Sequence, residues 1–193
     1  MISLRRHQTG DKQGERGTAL LELALVLPML LTILLFVAEL GFLIHSRLIV
    51  TNVSREGGSL GSRAITLDNR FLTLLESAGK PLNLAGDDGK VIVTRITSGT
   101  TDQDPLPRVT TRLSDGRLVV QSMVNGNQPK MGLPAPIYDH LVYRTANGTA
   151  DIAEVTIVEI FYKHRPVTPL QRFMRDLVLA DGDGTILKSR AIF

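Results

Sequence analysis

Between Thr18 and Ile44 the chain has no lysine or arginine, yet it carries two carboxylates, Glu22 and Glu39. An ionised acid at the centre of a membrane helix costs about 3 kcal/mol or more unless it finds a partner or an interface. Glu22 ends the run Gly17-Thr18-Ala19-Leu20-Leu21-Glu22, in which a glycine closes a hydrophilic, basic stretch and the acid follows five residues later. Leu23 to Ala38 is free of charge. That block is slightly short for a bilayer by itself, so Glu22 and Glu39 are expected near the two interfaces. Glu22 in particular calls for a cation supplied by another group.

Other candidate chemistry is thin. There is no cysteine, hence no thiolate, disulfide or Cys-based metal site. P-loop, dinucleotide and H-E-x-x-H patterns are absent. His7, His45, His140 and His164 lie far apart in sequence, and Asp139-His140 reads as a surface pair. Asp181-x-Asp183-Gly184 shares the start of a calcium loop, but Lys188 and Arg190 follow where acidic ligands belong, so a tight turn is the reading. Asp87-Asp88-Gly89 is likewise read as a turn. No catalytic, cofactor or metal site is assigned.

Charge points away from nucleic acid. The formal net charge is +3, and most of it lies in residues 1–17, where Arg5, Arg6, Lys12 and Arg16 face only Asp11 and Glu15. The remaining basic residues are scattered singly, without the aromatic-lined basic stripe that such binding uses.

The elements that must position Glu22 begin with the apolar run. As a helix at ~1.5 Å per residue, Thr18–Ile44 extends about 40 Å, more than the ~30 Å hydrocarbon core. The basic leader before it, against sparser Arg47, Arg55 and Arg63 after it, gives a cytoplasmic N-terminus and an exported C-terminal domain. A removed signal peptide fits poorly. The run is too long, and Phe42-Leu43-Ile44-His45 offers no small-x-small cleavage site. Pro28 removes one helix donor and crowds the carbonyl of Ala24, which membrane helices tolerate. It also offers a place for the helix to bend.

The Gly17-to-Glu22 spacing resembles the class III signal of type IV pilin-like proteins. In that class a prepilin peptidase cuts after a glycine and leaves the apolar helix attached, with glutamate at mature position five. The resemblance implies cleavage between Gly17 and Thr18. A new α-amine at Thr18, cationic at neutral pH, would then be available to Glu22 of an adjacent subunit.

Three blocks extend the likeness. Leu25-Val26-Leu27-Pro28-Met29-Leu30-Leu31, Glu39-Leu40-Gly41 and Asn52-Val53-Ser54-Arg55-Glu56-Gly57 are similar, in order and spacing, to the TadE-like family. Its members are pseudopilins, or minor pilins, of bacterial tight-adherence (Tad/Flp) pili. More loosely, Val155–Tyr162, Pro166–Leu170 and Thr185–Ala191 resemble the family's late strand, Pro-rich turn and closing strand. Leu23 stands where Tad sites favour an aromatic, Val53-Ser54 and Gly58 replace alanines, and residues 80–150 show no resemblance.

Beyond the span, Ile44, Leu48, Val53, Leu60 and Ala64 keep a rough helical spacing, so the helix is expected to continue past residue 50. Gly57, Gly58 and Gly61 are expected to end or hinge it, with Arg55-Glu56 at its terminus. Asp68 should cap a short helix with Phe71, Leu72, Leu74, Leu75 and Ala78 on its apolar face and Gly79 at its end. Strands are expected at 91–97, 109–113, 117–124, 152–162 and 185–192, with Ser114-Asp115-Gly116 as a hairpin turn. Residues 98–107 and 125–136 read as loops, and 170–179 as a short helix. The expected fold is α+β: a long N-terminal transmembrane helix, then an exported domain with an antiparallel sheet of four or five strands and short helices. The organisation is a basic leader at 1–17, the span at 18–44, a helical extension and short helix at 45–79, and the sheet domain at 80–193.

The functional expectation is a non-enzymatic Tad/Flp minor pilin without a cofactor, acting in pilus assembly, initiation, tip or adhesion. The resemblance implies as partners other minor pilins, the major pilin, the prepilin peptidase and the inner-membrane platform. Gly17 and Thr18 would serve processing, Glu22 intersubunit pairing, and Pro28, Glu39 and Gly41 the helix. Asn52, Arg55, Glu56 and Gly57 form the post-membrane motif. The alternative is an uncleaved bitopic protein whose span only tethers a binding or scaffolding domain.

Overall fold

The computed structural model describes residues 11–63, 66–126, 128–143, 153–167 and 184–193. The expected helix at 170–179, the Asp181–Asp183 turn and the basic residues Arg5 and Arg6 lie outside them. Helix α1, Asp11–Arg63, dominates the molecule. It is followed by α2 (Asn69–Ala78), β1 (Gly89–Thr97), β2 (Arg108–Asp115), α3 (Ala135–Leu141), β3 (Glu154–His164) and β4 (Thr185–Ile192). The strands form one antiparallel sheet in the order β2-β1-β3-β4. The fold is α+β, as the sequence led us to expect.

The two longest strands, β1 and β3, sit at the centre and are apolar on both faces. One face meets the helices. Val91, Val93, Val158 and Ile160 pack with Val50 and Val53 of α1 and with Phe71, Leu72 and Leu75 of α2. The other face, with Ile96, Val155 and Ile157, lies under Val124, Leu133 and Leu141. The α1 helix runs antiparallel to β3: Glu39 lies beside His164 and Gly61 beside Thr156.

The three glycines do not end or hinge α1. The helix continues through them to Arg63, and Arg55-Glu56 is mid-helix and exposed. A Cβ at Gly57 would lie 2.5 Å from Leu75, one at Gly58 2.2 Å from the Phe193 ring, and one at Gly61 2.9 Å from Thr156. Each glycine costs the helix about 1 kcal/mol in propensity. Close contact between the helix backbone and the sheet and α2 outweighs that cost. The helix end is held from the sheet: Arg95 donates to the carbonyl of Gly61 at 2.9 Å, satisfying one of the last free acceptors.

In α2, Asp68 caps as expected, accepting from the Phe71 N–H at 3.0 Å. Phe71, Leu72 and Leu75 are buried, whereas Leu74 points outward. The expected strand at 117–124 and its hairpin do not form. Gly116, at φ 95°, turns the chain away from β2, whose partner is β1. Residues 117–126 then cross the second face as a strap. The strap is held by side chains. Fully buried Glu159 accepts from the Ser122 hydroxyl and from the Met123 N–H at 2.8 Å, while Arg112 donates to the Val124 carbonyl at 2.6 Å. Within the expected loop at 125–136, a short 3-10 turn at Pro129–Gly132 leads into α3.

Candidate functional site: the stem and its junction with the head

The α1 helix has two environments. From Gly17 to Ala38 no residue is buried. At ~1.5 Å per residue these positions extend about 33 Å, close to the ~30 Å hydrocarbon core. This is a helix long and apolar enough to cross a membrane. From Glu39 onward one face is covered by the head domain.

The sequence-derived residues divide accordingly. Gly17, Thr18 and Glu22 are exposed on the free part, and a Cβ at Gly17 would meet nothing within 4 Å. Pro28 is accommodated inside the helix, where the Thr32 hydroxyl donates to the Pro28 carbonyl at 2.8 Å. Gly41 also faces open space. Asn52, Arg55 and Glu56 point outward, whereas Val53, Ser54 and Gly57 of the same block face the head. Buried Ser54 reaches across the interface to Ser189 of β4 at 2.6 Å.

Glu39 is the residue whose role the sequence understated. It is 3% exposed and bonded to the head. Its carboxylate meets Nε2 of His164 at 3.2 Å and accepts from the Val167 N–H at 3.2 Å. On the other side of the ring, Nδ1 of His164 lies 3.4 Å from the Ser46 hydroxyl. Three polar groups on two elements thereby bury one another's hydrogen-bonding capacity. The signal was present: an acid inside an apolar run must find a partner, and His164 ends the strongest strand. Only the fold could pair residues so far apart in the chain.

Serine, histidine and carboxylate in a row invite a hydrolytic reading. Ser46 is 6% exposed and sealed between helix and strand, so a substrate carbonyl has no approach to it. The arrangement fixes stem to head. Gly57-Gly58-Ser59-Leu60-Gly61 has the spacing of a nucleophile elbow, which needs a strand-to-helix turn. Here it lies inside continuous helix, and its glycines serve packing.

A second titratable feature lies where α2 meets β2. Burial, and then the neighbouring Asp115, push the Glu76 carboxyl from 4.5 up to about 7. Its Oε1 is buried with no donor. Two ionised carboxylates cannot hydrogen-bond each other, so the pair is satisfied only when one holds a proton. Glu76 also lines an open groove with Lys80, Pro81, Leu82 and Leu84. Among the described residues no group of three or more acidic or histidine side chains could hold a metal. Asp139 is bonded to Lys130 at 3.0 Å.

Residues 17–59 match the family described as TadE-like protein. No curated protein matches the chain, and no solved structure does. The matched segment begins at the glycine before the free helix and ends among the glycines that seat the stem on the head. The likeness to the TadE-like family thus lies in the stem, residues 17–59.

Proposed function

We propose that this chain is a minor pilin (pseudopilin) of a Tad/Flp pilus, processed after Gly17 by a prepilin peptidase. It acts in assembly, initiation or tip formation rather than as an enzyme. One observation carries the reading: Gly17 to Glu22 stands at the head of an apolar helix that runs unbroken into the head domain, within the TadE-like match. The open surroundings of Gly17 suit a peptidase that must grip the backbone. Cleavage gives Thr18 a cationic amine, and Glu22 of a neighbouring subunit pairs with it. That pairing offsets the desolvation of both groups and sets the register between helices. The free stem lies in the inner membrane with its N-terminus cytoplasmic and the head periplasmic. Its partners are the other minor pilins, the major pilin and the membrane platform.

N-terminal sequencing of the protein from its host tests the first step. The expected mature chain begins at Thr18; a chain beginning at Met1, or cut after residue 44, overturns the proposal. Glu22→Gln tests the second step. Co-assembly should fall while membrane insertion survives, whereas an uncleaved tether would be indifferent to the change.

A further inference from the structure

The free stem is already as long as a bilayer is thick, and the next residue is bonded to the head. Glu39 follows Ala38 directly and accepts from the Val167 N–H. No linker separates the end of the apolar helix from the lower end of the head. That end can be traced bond by bond. Arg165, two residues before Val167, is paired with Asp88 at 2.8 Å, and Lys163 donates its backbone N–H to the Asp88 carbonyl at 2.7 Å. Gly89, the next residue, lies opposite Tyr162 and accepts from the Leu118 N–H at 3.1 Å. The turn at 116–119 and the segment 165–167 therefore form one rim at the level where the stem leaves the membrane.

That rim carries two bare apolar side chains. Val119 is 96% exposed, the most exposed large apolar residue among those described, and Val167 is 73% exposed. Single exposed valines need no explanation. Two on the end of the domain that the stem holds against the bilayer are a different matter. Resting on the reading of the free stem as a membrane span, we infer that this rim docks on the outer leaflet, with Val119 and Val167 inserted at the headgroup boundary. The head is thus seated on lipid at further points besides its helix. Apolar insertion drives the contact, because the rim arginines already have partners: Arg117 is paired with Asp87 at 3.3 Å and Arg165 with Asp88. A neutral, zwitterionic bilayer is therefore sufficient.

The absence of cysteine makes the test clean. Single variants Val119→Cys, Val167→Cys, Leu106→Cys and Leu30→Cys of the full chain are labelled with a small fluorophore. They are reconstituted in phosphatidylcholine vesicles containing lipid brominated near the headgroup or deep in the acyl chain. Leu106, 57% exposed, lies just before Arg108 at the opposite end of the sheet, and Leu30 lies within the free stem. The expected result is loss of fluorescence at 119 and 167 with shallow bromine, none at 106, and loss at 30 with deep bromine. Quenching at 30 without quenching at 119 and 167 overturns the rim contact and leaves the anchor standing. Equal quenching at 106 overturns it also, as indiscriminate adsorption. No quenching at 30 shows instead that the anchor reading itself has failed.

Discussion

The two halves of α1 are one helix written for two solvents. From Gly17 to Ala38 its surface is apolar all round and unburied, with one acid near the start. From Glu39 to Arg63 it is two-faced: Ser46, Val50, Val53, Ser54, Gly57, Gly58 and Gly61 face the head, and Arg47, Asn52, Arg55 and Glu56 face outward. A helix that touches only lipid needs hydrophobicity and length but no shape. A helix that touches a sheet needs small residues where backbones approach and a polar partner for each buried polar group. Glycine illustrates the difference, being idle at Gly17 and crowded at Gly57. So does glutamate: Glu39 is buried and bonded to the head, whereas Glu22 is exposed.

Substitutions sharpen this contrast, the largest effect first. Gly57→Val drives a branched side chain into fully buried Leu75 and should cost about 2–3 kcal/mol of head stability. Gly41→Val, with nothing nearby, should leave head stability within about 0.5 kcal/mol. Urea unfolding of the detergent-solubilised full chain, followed by circular dichroism, compares them; equal losses would erase the distinction between head-facing and open positions of the helix.

Glu39→Ala leaves buried His164 and the Val167 N–H without their acceptor and should cost about 2 kcal/mol. Hydrogen exchange at 164–167 should rise, while Glu22→Gln should leave it unchanged. Ser54→Ala removes the bond to Ser189 and should cost about 1 kcal/mol in the same urea assay.

The smallest effect is one of pH. The folded Glu76 carboxyl is raised from 4.5 to about 7, so between these values the folded chain holds a proton that the unfolded chain has released. Stability from this group is complete below about pH 4.5 and declines as pH rises to about 7. Glu76→Gln should flatten that decline and raise the melting temperature at pH 8 by about 2 °C, with no gain at pH 4. A gain of equal size at both pH values would show that the carboxyl pair is not its source.

The legible parts of this molecule are those in which local pattern and final environment agree. The apolar stem, the Asp68 cap and the β-branched core of β3 each answer to a periodicity or a short-range bond. The expected strand at 117–124 alternates well enough, but the sheet edge it would have joined is not where Gly116 sends the chain. The glycines at 57, 58 and 61 read as breakers because propensity weighs each residue alone. Their crowding depends on Leu75, Thr156 and Phe193, which are distant in sequence.

By itself the sequence determined that there is a membrane-length apolar helix, that an acid follows a glycine near its N-terminal end, and that an α+β domain comes after. Those features rest on composition and spacing along the chain, and spacing is what a helix converts directly into geometry. Only the tertiary structure decided where the stem ends and the head begins. That boundary is set by Glu39 meeting His164 and Val167, and a hydrogen bond between residues so far apart exists only once the sheet has brought them together.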